Sequence, residues 1–134
     1  MSKYVSNELI ALFVRTWNRD NSGWKEVHKV AINYGWCYQF AILMKRLHGD
    51  KVKLCYDRGH AWVRIDGLYY DSETPNGADS IADLVSHPSG IGLQEDVTEE
   101  ELAHFWKSGG SGPVQLKIIE DVLLLYRVSS DVGA

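Results

Sequence analysis

Apolar residues follow two different periods along this chain, and the change of period divides it. From Asn7 to Asn18, Leu9, Ile10, Phe13, Val14 and Trp17 recur at three- and four-residue spacing, which predicts an amphipathic helix ended by the turn formers Asn18 to Gly23. Ser22 stands where it could cap a second, weaker helix in which Trp24, Val27, Val30, Ala31 and Tyr34 share a face, and Gly35 interrupts it. A third helix is predicted from about Trp36 to His48. Phe40, Ala41, Met44 and Leu47 lie on one side of it, and Gly49 is its stop signal. Cys37 falls on that apolar side, in the first turn.

Beyond Gly49-Asp50 the period becomes two. Val52, Leu54 and Tyr56 alternate with Lys51, Lys53 and Cys55, a strand pattern that puts Cys55 on the face opposite the apolar set. Arg58-Gly59 reads as a turn, His60 to Ile65 as a strand, Asp66-Gly67 as a hairpin turn and Leu68 to Asp71 as the returning strand. Thr74 to Gly92 is rich in turn formers, with one short helix expected around Ser80 to Val85 under an Asp79 cap. Thr98 and Glu101 form a capping box for a helix through about Lys107. Ser108 to Gly112 (SGGSG) is too brief to separate two domains. Val114 to Val128 fits two strands or one helix, and its β-rich run from Val122 favours strand at the end. The expectation is one α+β domain over residues 1–134, with N-terminal helices on a small antiparallel sheet.

The hairpin fixes which side chains share a face. With Asp66-Gly67 as a two-residue turn, Ile65 faces Leu68, Arg64 faces Tyr69, Trp62 faces Asp71 and His60 faces Glu73. His60, Trp62, Arg64, Tyr69, Asp71 and Glu73 therefore lie on one side, and Ala61, Val63, Ile65, Leu68 and Tyr70 on the apolar other. Asp71 is the diagonal neighbour of His60, within side-chain reach. A carboxylate there could fix the imidazole tautomer and stabilise the imidazolium. Glu73, directly opposite, is the alternative for that role, and Trp62 and Tyr69 are candidates to line a substrate cleft.

Composition narrows the chemistry. The chain has 134 residues, 45% hydrophobic, with a formal charge of −4 and no basic stripe, which argues against a nucleic-acid partner. No apolar run is long enough for a membrane span, and the N-terminus lacks signal-peptide features, so a cytoplasmic protein is expected. Two cysteines, Cys37 and Cys55, are too few for a disulfide framework. Four ligands at metal-site spacing are missing, so neither a metal nor another cofactor is expected. A thiol in a first helical turn lies near unsatisfied N–H groups and the positive end of the dipole. Both are expected to lower its pKa, and the same N–H groups can hold an oxyanion. The chain order then becomes informative: a helix-start cysteine, a strand-start histidine and a carboxylate on the next strand supply a nucleophile, a base and an orienter.

Gly35-Trp36-Cys37 leading into Tyr38-Gln39-Phe40-Ala41-Ile42-Leu43 resembles the catalytic helix of transglutaminase-like cysteine enzymes, within the broad papain-like fold group. His60-Ala61-Trp62-Val63-Arg64-Ile65 resembles their HAWV-type strand, and Leu68-Tyr69-Tyr70-Asp71 the aromatic-then-aspartate strand that follows. The resemblance spans Gly35 to Glu73 and departs from the family after the aspartate, where Ser72-Glu73 replaces the usual Pro or Thr. It implies a Cys37–His60–Asp71 triad and thiol acyl transfer on a peptide, a protein side-chain amide or a small amide or ester. Peptidase, amidase, deamidase and transamidase all fit, with hydrolysis as the default. The family's oxyanion side chain lies upstream of the cysteine, where Trp17, Asn18, Trp24 and Asn33 are candidates and Trp24 is preferred. The competing expectation is a binding or inhibitory protein that keeps the scaffold without turnover.

Overall fold

A computed structural model describes residues 4–20, 37–57, 60–85, 88–106 and 116–132. The expected helix over 22–34, the Arg58-Gly59 turn and the SGGSG loop lie outside them. Helix α1 spans Asn7–Asp20. Ser6 caps it, its Oγ accepting the Leu9 N–H at 3.1 Å. Helix α2 spans Cys37–His48, and its first eight residues, Cys37 to Met44, are all buried. A helix buried all round has neighbours on every side. Here they are the sheet, α3 (Glu99–Trp106) and α4 (Leu116–Val132), with Phe40 meeting Phe13 of α1 edge to face at 6.0 Å.

Strands β1 (Val52–Asp57), β2 (His60–Ile65), β3 (Leu68–Tyr70) and β4 (Gln94–Val97) form one antiparallel sheet in the order β3-β2-β1-β4. The α+β class follows directly. The β2–β3 register, Val63↔Tyr70, Arg64↔Tyr69 and Ile65↔Leu68, is the expected one. Asp66 (φ 52°) and Gly67 (φ 85°) close it in the left-handed conformation that a two-residue turn demands. Val52, Leu54, Ala61, Val63, Ile65 and Tyr70 project from one face into the main core with α1, α2 and α4. Cys55 and Trp62 project from the other face and meet Ala78 and Leu84, a second, smaller core. The segment carrying it is tied on by reciprocal backbone hydrogen bonds between Tyr69 and Ala78, at 2.8 and 2.9 Å.

Three expectations need correction. The stretch after residue 114 is a single helix where described: Ile118, Ile119, Val122 and Leu123 are buried together, so helical periodicity overrides the strand preference of individual residues. The expected helix around Ser80 to Val85 is only a 3-10 turn, Ile81–Asp83; Ser80, not Asp79, precedes it and bonds the Asp83 carboxylate at 3.1 Å. Strand β4 is unanticipated, because Gln94, Glu95 and Asp96 are exposed edge residues with no alternating signal. The capping box forms as expected: Thr98 N–H donates to Glu101 Oε1 and Glu101 N–H to Thr98 Oγ1, each at 3.0 Å. No helix among the described residues is long and apolar enough to cross a membrane.

Candidate functional site

Cys37 is the first residue of α2 and is only 6% exposed, against the backbone of Ala61 in β2. Burial, with a smaller contribution from Asp57, pushes its thiol up to about 11. Backbone hydrogen bonding at Ala61, Tyr38 and Cys37 itself pulls the other way without prevailing. The expected lowering of the pKa is therefore reversed. The helix-start N–H groups act in the anticipated direction, but desolvation of a thiolate outweighs them.

His60 opens β2, half-buried, with its ring stacked on Trp62 at 6.0 Å and 23°. Its Nε2 is buried and has no hydrogen-bond partner among the described residues. Desolvation holds the imidazole below its ordinary value, opposed first by Asp57 and then by Asp71. The resting imidazole is thus neutral at pH 7, the protonation state a general base needs.

Asp71 follows the last residue of β3 and is 2% exposed. Its Oδ1 accepts the Glu73 N–H at 2.9 Å, an Asx turn that leads the chain away from the sheet. Cys37, Ala61, Trp62, Asp71 and Ser72 border one pocket, which has no room for a water molecule. Cys37 and Asp71 therefore border the same pocket; His60 is not among its lining residues and precedes Ala61, which is.

The remaining sequence candidates go elsewhere. Trp62 does not line an open cleft: it is 1% exposed in the second core, and its Nε1 also lacks a partner among the described residues. Tyr69 donates to Glu95 at 2.9 Å beneath the Arg64 guanidinium, which stands 5.1 Å from its ring centre and 3.7 Å from the same carboxylate. Glu73 does not stand opposite His60, because strand pairing stops at Tyr70. It instead lines an 850 Å³ cleft with Ile10, Val14, Arg15 and Asn18 of α1. Trp17 is a buried core residue of α1. Trp24 and Asn33 lie outside the described residues. No group of three or more His, Cys, Asp or Glu gathers as metal ligands among the described residues.

One residue beside His60 is absent from the sequence candidates. Asp57 ends β1, is 1% exposed and pairs with His60 across the β1–β2 ladder. Its Oδ2 accepts the Gly90 N–H at 2.9 Å and the Ser89 hydroxyl at 3.3 Å. The signal was available: the face-sharing rule applied to Asp66-Gly67 places Asp57 opposite His60 when applied to Arg58-Gly59.

No family model, no curated protein and no solved structure matches the chain.

Proposed function

We propose that this protein is a cysteine-dependent acyl-transfer enzyme of transglutaminase-like, papain-like type, with Cys37 as nucleophile and His60 as base. The observation that carries the reading is the buried Nε2 of His60, without a hydrogen-bond partner among the described residues and one residue from the Ala61 backbone that packs on the helix-start thiol. An unsatisfied ring nitrogen in a dry site is disfavoured unless something else uses it.

In the reaction, the Cys37 proton passes to His60 and the thiolate attacks an amide or ester carbonyl. Backbone N–H groups of the first α2 turn hold the oxyanion. His60 returns the proton to the departing amine or alcohol, leaving a thioester on Cys37. Water, deprotonated by His60, then releases the carboxylic acid and regenerates the thiol; an amine in place of water gives transamidation. A carboxylate beside His60 stabilises the imidazolium, and Asp71 is the sequence candidate for it. The pocket is too tight for water, so substrate entry requires an opening step, for which the Asp71–Ser72 turn forms one wall.

The thiol at about 11 favours a second reading, a protein of the same scaffold that binds without turnover. Native iodoacetamide labelling from pH 5 to 10, read by intact mass with Cys37→Ala as control, separates the two. An enzyme labels at Cys37 near pH 7, faster than His60→Gln does. Labelling of Cys37 only after denaturation would overturn the catalytic reading.

A further inference from the structure

We infer that Asp57 is the positioning carboxylate of this site: it stabilises protonated His60 from the neighbouring strand and fastens the Ser89 hydroxyl and the Gly90 backbone. The inference rests on the catalytic reading only for its purpose, since the pairing of Asp57 with His60 stands without it.

Three geometric facts favour Asp57 over Asp71. First, it faces His60 directly across an antiparallel ladder, where opposite Cβ atoms are about 4.5–5.5 Å apart, whereas a diagonal partner is about 7–8 Å away. Second, Asp71 lies past the end of the β2–β3 pairing, which stops at Tyr70, so no ladder register sets it against His60. Third, Asp57 is buried and anchored through Oδ2 by two donors from residues 89 and 90, which hold the carboxylate in place.

The charges around the imidazole agree with this geometry. Asp57 from β1 acts more strongly on His60 than Asp71 from beyond β3. On β2 itself Trp62 stacks on the ring. Arg64, two positions further on, is engaged by Glu95. Asp57 also acts on Cys37, whose thiol it raises. A negative charge felt by both groups adds a little to the burial that keeps the thiol protonated, and favours the imidazolium once the proton has moved.

The test is the titration of His60 in the full chain, followed by NMR of its Cε1–H and assigned by loss of the signal in His60→Gln. Asp57→Asn is expected to lower the midpoint by about one pH unit, as removal of an adjacent opposite charge does. Asp71→Asn is expected to lower it by clearly less. Ser89→Ala removes one anchor but keeps the charge, so the midpoint should remain in place.

Equal or larger movement in Asp71→Asn would overturn the inference, as would a shift in Ser89→Ala matching that of Asp57→Asn. If Asp57→Asn does not fold, Asp71→Asn still decides: a drop of about one unit there would sink the assignment. Inert Cys37 with a His60 midpoint that follows Asp57 would reject the catalytic reading and keep this one. A reactive Cys37 with a midpoint that follows Asp71 would do the reverse.

Discussion

At the scale of single residues, burial governs the site more than partners do. Cys37 has helix-start N–H groups around it, yet its thiol is raised because few polar groups surround a thiolate there. The notion of an activated cysteine was legible from position alone, but position says nothing about desolvation, and that is why its sign came out reversed. Trp62 shows the same gap. Alternation put it correctly on the His60 face, while the covering segment at residues 78–84 is visible only in three dimensions. Its indole fills the second core without forming a hydrogen bond among the described residues. Trp62→Ala should therefore destabilise the fold by about 3–5 kcal/mol, through lost burial and a cavity. Urea unfolding measures this, and a change below about 1 kcal/mol would mean that the covering segment does not pack on the indole.

At the scale of elements, hairpins and caps were readable because their rules are local. The Asp66-Gly67 turn, the β2–β3 register and the Thr98–Glu101 capping box each depend on a few neighbouring residues. Strand β4 was not readable, since its partner β1 is distant in sequence and its exposed edge carries no alternation. Of the two readings open for the α4 region the helix is the one that forms, against the strand preference of its end, for a related reason: β-branched residues favour strands only where a sheet receives them, and here α1 and α2 receive a helical stripe instead. Substitution along α4 checks that stripe. Ile119→Ala, in the core, should cost about 2–5 kcal/mol, whereas Leu124→Ala, 64% exposed, should stay within about 0.5 kcal/mol. Comparable losses at both positions would contradict the helix orientation.

At the scale of the whole molecule, buried titratable groups limit stability from both sides of neutrality. His48 and His60 are held below the ordinary 6.5 by burial, so the unfolded chain binds more protons as pH falls through that value, and stability declines. Cys37 and Cys55 are raised from 9.0 to about 11 and about 12, so above pH 9 the unfolded chain sheds protons that the fold retains, and stability declines again. Urea midpoints should accordingly form a plateau from about pH 6.5 to 9 and fall on either side. A midpoint rising from pH 9 to 10.5 would contradict burial of the two thiols. The packing of α1 against α4 acts on assembly instead. Arg19 meets Asp121 at 3.1 Å across 102 positions of sequence, whereas β1, β2 and β3 join through neighbouring hairpins. Closing so long a loop is entropically slow, so the meander can form early while the α1–α4 contact waits until most of the chain is in place. Synthesis from the N-terminus then leaves the apolar side of α1 without its α4 partner until residues 116–132 have emerged, which makes that interval the period of greatest exposure to aggregation.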